Sequence, residues 1–203
     1  DGNGRWAKNR RLPRSAGHRA GSENLKTLCR NCGHFGIRYV TVYAFSTENW
    51  SRPKKEVDAL MDLFLEFFER YDPELEKEGI RVRFSGDIDA LPPQIKSVCA
   101  HAEKKSEHRD RMDLIIAMNY GGRKEIVDAC RAAAQAVQSR DISPDDIDET
   151  LIQKHLYLPD IPDPDLIIRP SGELRLSNFL LWEGAYSELW FSDVLWPDFG
   201  LED

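Results

Sequence analysis

The sequence has no uninterrupted apolar run that approaches the ~18 residues expected of a membrane-spanning helix. No signal peptide is recognisable in its first residues. Its four cysteines are too few to predict a disulfide framework in 203 residues, and unpaired thiols are typical of the reducing cytoplasm. These absences exclude a spanning helix and a disulfide scaffold within the sequence, and we predict a cytoplasmic location.

Two motifs that resemble metal sites are incomplete. Cys29 and Cys32 have CxxC spacing, but no second pair of ligands follows at zinc-site spacing, so we interpret them as buried or half-buried free thiols in a helix. The acidic run Asp145–Glu149 misses the DDxxD metal motif, because its fifth position is Glu and no partner motif is present. Acidic residues are favoured in the first turn of a helix by its dipole, and we assign them that role.

A basic composition is also absent, because the net charge of −7 argues against a general nucleic-acid-binding protein. The charge is unevenly distributed along the chain. Residues 1–30 hold eight Lys and Arg side chains against two acidic ones, a net charge of +6, whereas the remainder carries −13. A local positive pole on an acidic protein suits a small anionic ligand better than a polyanion. We therefore expect no nucleic-acid partner.

Strand-like and helix-like segments alternate along the chain, which predicts an α/β fold with a mostly parallel central β-sheet covered by helices. Strands are predicted over residues 37–45, 80–85, 112–119 and 165–169, and helices over residues 17–35, 53–78, 92–108 and 122–138. Ser143 resembles the cap of a further helix. Because no linker, repeat or low-complexity tract interrupts this pattern, residues 1–203 are predicted to form a single domain.

Polar segments follow three of the predicted strands, at residues 46–52, 119–123 and 169–177. Ligands of open α/β sheets bind beyond the carboxyl ends of the strands, so we expect these segments to meet at one site. The sequence begins at Asp1 rather than at a methionine. We expect a preceding segment that includes a strand leading into Asp1.

The stretch with the densest positive charge is residues 1–21, DGNGRWAKNRRLPRSAGHRAG. Gly2 and Gly4 let the backbone around Asn3 form a turn whose N–H groups can face an anion. Arginine side chains add direct charge, and Asp1 is the lone carboxylate that a Mg²⁺ shared with phosphate oxygens would need. We predict a diphosphate site and call these residues the first cradle; a solvated basic surface loop is the alternative.

A second anion site, which we call the second cradle, is predicted at Arg169–Ser177. This segment offers two guanidiniums, two hydroxyls and a glycine, and Arg suits bidentate contacts to phosphate oxygens. Two such cradles in one domain suggest two phosphorylated substrates and group transfer between them. A plain surface turn is the alternative interpretation.

The predicted helix over residues 53–78 is apolar on more than one face. Such a helix is either buried on several sides or lines an apolar cavity. Core packing is the default interpretation. A neighbouring diphosphate site makes a cavity for a lipid tail the alternative.

Six sequence blocks resemble those of the cis-prenyltransferase family: DGNGRWA, GHRAG, YAFSTENWSRP, NYGGR, RPSGELRLSNFLLW and ELWFSDVLWPDF. The resemblance covers essentially the whole chain with family-like spacing. It implies Mg²⁺-dependent condensation of isopentenyl diphosphate units with a short allylic diphosphate such as farnesyl diphosphate, each new double bond being cis. The expected product is a long polyprenyl diphosphate, of undecaprenyl length for a cell-wall lipid carrier. A shorter product is the alternative.

The resemblance also implies the roles of individual residues. Asp1 matches the catalytic, Mg²⁺-binding aspartate, and Glu188 the second metal carboxylate, which the family supplies across a homodimer. The allylic diphosphate would be held by Gly2, Asn3, Gly4, Arg5, Trp6, Arg14, His18 and Arg52. A mobile loop would comprise Ser46, Thr47, Glu48, Asn49 and Trp50, and isopentenyl diphosphate would be held by Arg169, Arg175, Leu176 and Ser177. Within the first cradle, Lys8, Arg10 and Arg11 are expected only to steer substrate electrostatically.

Asn49 matches the position associated with proton removal, but an amide is a poor base, so the departing diphosphate or a water stays open as the proton acceptor. The growing chain is expected to enter an apolar tunnel, where burial at ~25 cal/mol per Å² favours a long tail. The expected lining residues are Leu60, Phe64, Val82, Phe84, Met112 and Leu114. Release of so apolar a product suggests peripheral association with the inner face of a membrane.

The sequence departs from the family pattern at its ends and at one internal position. It lacks the usual strand before Asp1 and a C-terminal tail after Asp203, and Leu174 stands where some relatives have His. A non-catalytic subunit of a heteromeric prenyltransferase is the main functional alternative. Such subunits lose phosphate-site residues, whereas Asp1, Asn3 and Arg169 are present here.

Overall fold

The computed structural model describes all residues 1–203 and contains six α-helices and five β-strands. The helices are α1 (Asn3–Asn9), α2 (Arg14–His34), α3 (Lys54–Lys77), α4 (Pro93–Ser106), α5 (Gly122–Gln138) and α6 (Glu149–Lys154). The strands are β1 (Tyr39–Ser46), β2 (Ile80–Ser85), β3 (Met112–Tyr120), β4 (Leu166–Arg169) and β5 (Glu188–Phe191). Each predicted strand and long helix is present, with boundaries shifted by three residues or fewer.

The central sheet is parallel with the order β1-β3-β2, which confirms the predicted fold class. Its middle strand, β3, is buried along nearly its whole length because neighbours cover both of its edges and helices cover its faces. This explains the almost continuous apolar run from Met112 to Met118. β1 pairs only with β3, so its other edge is unpaired in the structure.

β4 does not join this sheet and pairs instead with β5, as a separate parallel ladder from Leu166 opposite Glu188 to Arg169 opposite Phe191. The sequence analysis did not identify β5. A four-residue strand gives too short a pattern to separate from the surrounding aromatic residues. The pairing matters because it orients the second cradle, which begins at the end of β4.

Helix α3 packs its apolar side on the sheet and contributes to a core of nineteen buried residues. The core-packing interpretation of this helix is therefore confirmed for Met61, Phe67 and Phe68. Of the predicted tunnel residues, Val82, Phe84, Met112 and Leu114 are buried members of this core, and Leu60 and Phe64 pack against it partly buried. The six residues therefore lie together in one apolar region of the core. The tunnel itself stays a prediction.

The segment expected to form a phosphate-binding turn is instead the short helix α1, preceded by Gly2 in a left-handed conformation with φ of 87°. α1 lies against α2 so closely that a Cβ atom at Gly17 would fall 2.0 Å from the carbonyl oxygen of Asn3. α2 begins at Arg14, earlier than predicted, because Pro13 precedes it as the N-cap.

Two smaller predictions can be compared with the structure. Cys29 is buried and Cys32 half-buried in α2, both as free thiols, as expected. In the acidic run, Asp146 accepts from the backbone N–H of Ser143 and Asp148 from that of Leu151, each at 2.7 Å. These carboxylates therefore cap helical turns, the role that we assigned to them.

No helix in the structure is both long enough and apolar enough to cross a bilayer.

Candidate active site

The two cradles, 168 residues apart in the chain, meet at Asp1. The guanidinium of Arg169 donates to the carboxylate of Asp1 at 2.8 Å, and the hydroxyl of Ser171 donates to the Asp1 carbonyl oxygen at 2.8 Å. Arg5 donates to the carbonyl oxygen of Ser171 at 2.7 Å and forms an ion pair with Glu173 at 3.2 Å. The structure therefore brings both predicted anion sites into one cleft.

This approach requires the glycine at position 2. A Cβ atom there would lie 2.3 Å from the Ser171 hydroxyl oxygen, and the left-handed φ is one that other residues adopt only with strain. The absence of a side chain at Gly2 therefore allows the contact between the first cradle and Ser171 of the second. Ser171 is one of the two hydroxyls predicted for the second cradle but was given no individual role there; the structure buries it to 1% exposure in contact with Asp1.

Within the second cradle, Arg169 is the organising side chain. Its guanidinium donates to the Ser177 hydroxyl at 2.8 Å and to the carbonyl oxygen of Arg175. Arg175 forms an ion pair with Glu173 at 2.7 Å. Burial and the nearby charge of Arg175 lower the pKa of Arg169, whose guanidinium is paired with the Asp1 carboxylate. Leu176 lies half-buried between these polar residues.

Asn3 and His18 face each other across the first cradle, with the Asn3 amide nitrogen 3.5 Å from His18 Nδ1. Asn3 Oδ1 and His18 Nε2 are both buried and have no hydrogen-bond partner in the protein. Burial and the charges of Arg14 and Arg52 lower the pKa of His18. The two unpartnered atoms, Asn3 Oδ1 and His18 Nε2, are therefore available to a ligand.

Arg14 and Arg52 converge on Glu56 in the first turn of α3, at 3.1 Å and 3.0 Å. The carboxylate holds two guanidiniums from different elements at the same edge of the cleft. Glu56 was missed in the sequence analysis. Its place in the first turn of the helix that follows Arg52 was the available signal, although Arg52 itself precedes that helix in an extended conformation.

Trp6 and Arg10 have structural partners. The indole N–H of Trp6 donates to Asp198 at 2.7 Å, Arg10 pairs with the same carboxylate at 3.1 Å, and the Arg10 guanidinium lies 4.2 Å from the centroid of the Trp6 ring. Arg10 thus has a structural partner, and its role in steering substrate stays a prediction. Lys8 and Arg11 are exposed, as steering residues would be.

The predicted mobile loop follows β1 as a 3-10 helix, Thr47–Ser51. Asn49 Oδ1 accepts from the backbone N–H of Ser46 at 3.2 Å, closing this turn. Glu48 accepts from Asn178 at 2.8 Å, and the Trp50 indole N–H donates to Asn119 at 2.7 Å. The loop is therefore attached to two other segments of the site. Asn119 and Asn178 were not among the predicted site residues.

The residues around Asp1 fit Mg²⁺ only as a site completed by a ligand. No group of three or more Asp, Glu, His or Cys side chains is placed to hold a metal ion. Mg²⁺ needs one or two carboxylates, with phosphate oxygens and water supplying the rest, and Asp1 supplies one such carboxylate, held by Arg169.

Glu188 is not brought to Asp1 within the chain. Glu188 lies opposite Leu166, the first residue of β4. Asp1 contacts Arg169, the last residue of β4. Leu166 and Arg169 are three residues apart, which corresponds to ~10 Å along the strand. A joint metal site of Asp1 and Glu188 would therefore need a second copy of the chain.

Comparisons with known proteins agree with this arrangement. The family model described as "Putative undecaprenyl diphosphate synthase" matches residues 1–203. The isoprenyl transferase of Heliobacterium mobile is 51% identical over 203 residues, covering 100% of this chain and 78% of the relative. That of Clostridium perfringens is also 51% identical, covering 100% of this chain and 80% of the relative.

Solved structures show the same fold. Lavandulyl diphosphate synthase from Lavandula x intermedia, in complex with dimethylallyl diphosphate, is similar with a TM-score of 0.94 and 37% identity, over 100% of this chain and 88% of that chain. A probable undecaprenyl diphosphate synthase from Campylobacter jejuni is similar with a TM-score of 0.78 and 32% identity, over 89% and 83%. The chain is therefore a prenyltransferase enzyme that belongs to the cis-prenyltransferase family.

Proposed function

We propose that the chain elongates an allylic diphosphate, farnesyl diphosphate being the expected primer, with isopentenyl diphosphate units in a Mg²⁺-dependent reaction that makes each new double bond cis. The observation that carries this proposal is the contact of the two cradles at Asp1 and Arg169. Two diphosphates bound in the two cradles would lie side by side. The relative with dimethylallyl diphosphate bound supports an allylic substrate class.

The first cradle acts on the leaving group. Loss of diphosphate from the allylic carbon builds negative charge on its oxygens, and preorganised Arg5, Arg14 and Arg52 stabilise that charge. His18 can donate from Nε2 if Nδ1 accepts from the Asn3 amide. When bound beside Asp1, Mg²⁺ would supply further charge neutralisation of the leaving group.

The second cradle orients the nucleophile. Arg169, Arg175 and Ser177 would hold isopentenyl diphosphate so that its alkene faces the allylic carbon, which contributes the proximity term of catalysis. The proton lost after carbon–carbon bond formation needs an acceptor. Asn49 Oδ1 is engaged by the Ser46 N–H. We therefore favour the departing diphosphate, held in the first cradle, as the base.

The product is proposed to be a long polyprenyl diphosphate of undecaprenyl length, because the family model that matches residues 1–203 is described as "Putative undecaprenyl diphosphate synthase". A homodimer is proposed because apolar side chains are exposed around β5, with Tyr186 98% and Trp190 53% exposed. The dimer would supply the partner's Glu188 to Asp1. A cytoplasmic location at the inner face of a membrane is proposed from the apolar product.

The deciding experiment incubates the protein with radiolabelled isopentenyl diphosphate, farnesyl diphosphate and Mg²⁺, and resolves the products by chain length. Light scattering on the same sample reports whether it is dimeric. Label in long-chain product, lost on chelation with EDTA, is the expected result. Label only in short products would indicate the short-chain alternative. No incorporation by a folded dimer would contradict the proposed function.

A further inference from the structure

Asn178 joins three segments that are far apart in the sequence. Its side-chain amide nitrogen donates to Glu48 Oε1 at 2.8 Å, and its side-chain oxygen accepts from the backbone N–H of Arg123 at 2.8 Å. Its carbonyl oxygen accepts from the backbone N–H of Gly122 at 2.8 Å. Each of these hydrogen-bonding groups is thus committed to the loop 46–51 or to the start of α5.

The backbone around Asn178 is built for this contact. Asn178 has a φ of 66° and Ser177 a φ of 52°, both left-handed, a conformation that asparagine tolerates better than most residues. Gly121 packs between the two partners: a Cβ atom there would lie 2.7 Å from both the Asn178 amide nitrogen and the Thr47 hydroxyl. The close approach therefore depends on a glycine at position 121.

The residue before Asn178 belongs to the second cradle. Ser177 accepts from Arg169 at 2.8 Å, and Arg169 in turn holds the Asp1 carboxylate. A continuous chain of contacts therefore runs from Asp1 through Arg169, Ser177 and Asn178 to Glu48. No other hydrogen bond links the loop 46–51 to residues 169–178.

We propose that Asn178 is a positioning residue that holds the loop 46–51 against the second cradle, so that the loop closes only when Arg169 and Ser177 are correctly arranged. This inference rests on the proposed function for its effect on catalysis, because the loop 46–51 and the second cradle would then act on neighbouring substrates. The contact itself does not depend on that function. Asn178 itself was assigned no substrate contact, and it acts through Glu48.

The sharpest test reverses the polarity of the bond. Asn178→Asp keeps the acceptor for the Arg123 N–H, suits a helix N-terminus and tolerates a left-handed φ, but it faces Glu48 with a second carboxylate. Glu48→Gln alone keeps an acceptor for Asn178. In the double variant the amide introduced at position 48 can donate to the carboxylate introduced at position 178, so the link is restored. The parent, the two single variants and the double variant form a double-mutant cycle. Only Asn178→Asp lacks the hydrogen bond between side chains 178 and 48.

Hydrogen–deuterium exchange of residues 46–52 is the first readout, since it requires no substrate. Asn178→Asp should raise exchange of this loop roughly 10-fold, and the double variant should return it to the level of Glu48→Gln. Exchange in α4, which lies outside the contact, should not change. Unchanged loop exchange in Asn178→Asp, or a double variant as fast as Asn178→Asp, would overturn the proposal.

Steady-state kinetics provide the second readout. Asn178→Asp should lower kcat roughly 10-fold relative to the parent, whereas the double variant should match Glu48→Gln. A general folding defect would not be rescued by Glu48→Gln. If the exchange pattern holds while none of the four proteins transfers a prenyl group, the positioning role stands and the proposed function fails.

Discussion

At the scale of single residues, Asp1 is the point where both cradles and the proposed metal meet. Its carboxylate accepts from Arg169, and its carbonyl oxygen accepts from Ser171. Removing the carboxylate would therefore remove both the proposed metal ligand and the anchor of Arg169. The neighbouring cations differ in importance, because Arg10 is held by Asp198 whereas Lys8 and Arg11 are exposed.

We expect Asp1→Asn to lower prenyl transfer by roughly 100-fold or more, because the amide can still accept from Arg169 but cannot balance the charge of Mg²⁺. Initial-rate assays over a range of Mg²⁺ concentrations would measure this. Lys8→Gln combined with Arg11→Gln is the matched control and should change the rate only a few-fold, in a salt-dependent way. The reverse ranking would contradict the assignment of these residues.

Arg169→Lys tests the organising side chain of the second cradle. A lysine keeps the charge but cannot reach Asp1, Ser177 and the Arg175 carbonyl oxygen together, since it lacks the planar fork of donors. The KM for isopentenyl diphosphate should rise roughly 10-fold or more. An equal rise in the KM for the allylic substrate would show that the two cradles do not bind separate substrates.

At the scale of secondary-structure elements, α3 and β3 enclose the apolar region that we propose to accommodate the growing chain. Leu114 on β3 has 0% exposed surface and Met112 has 1%. A larger side chain there must displace core atoms or occupy any tunnel space. Changes at these positions therefore affect stability and product length together.

Leu114→Trp should shorten the product and lower the free energy of unfolding by roughly 1–3 kcal/mol, because the site is fully packed. Met112→Trp should act in the same direction. Chain-length analysis of the products, with urea unfolding of the same proteins, separates the two effects. Unchanged chain length in both variants would reject the tunnel assignment.

At the scale of the whole molecule, a buried carboxyl pair connects the start of α5 with the segment that leads to β5. Glu125, 1% exposed, accepts from the Tyr120 hydroxyl at 2.5 Å and from the backbone N–H of Tyr157 at 3.0 Å. Glu183 lies beside it with Oε2 buried and unpartnered. Burial and the charge of Glu125 raise the pKa of Glu183 to about 8.

Stability should therefore fall with rising pH. At pH values between the ordinary pKa of a carboxyl group and about 8, Glu183 keeps its proton in the folded protein and loses it in the unfolded chain. The free energy of unfolding therefore falls as the pH rises through this range. Glu183→Gln, which resembles the protonated carboxyl, should remove this loss, and its advantage should vanish in acid. Thermal unfolding across pH would measure the effect. Glu202→Gln, at an exposed terminal site, is the control. If thermal stability depended on pH in the same way in the parent, Glu183→Gln and Glu202→Gln, the pairing of Glu183 with Glu125 would be contradicted.

Much of the fold was predictable from the sequence because its signals are local. The apolar run at Met112–Met118 predicted the strand β3, and the apolar helical pattern over residues 53–78 predicted α3. The short strand β5 and the helical form of residues 3–9 were not predictable. Both depend on packing, β5 against β4 and Ala7 and Asn3 against Gly17, which no local pattern records.

The sequence by itself determined the chemical inventory of the site, since charge, glycine placement and motif spacing are written in the order of residues. It indicated two anion cradles, a lone Asp1 and an α/β scaffold that presents them. Only the tertiary structure decided that the cradles touch, that burial lowers the pKa of His18, that Arg10 is engaged by Asp198 and that Asn178 reaches Glu48. These facts arise from contacts between segments far apart in the chain, whose distances, burial and shared charges exist only once the chain has folded.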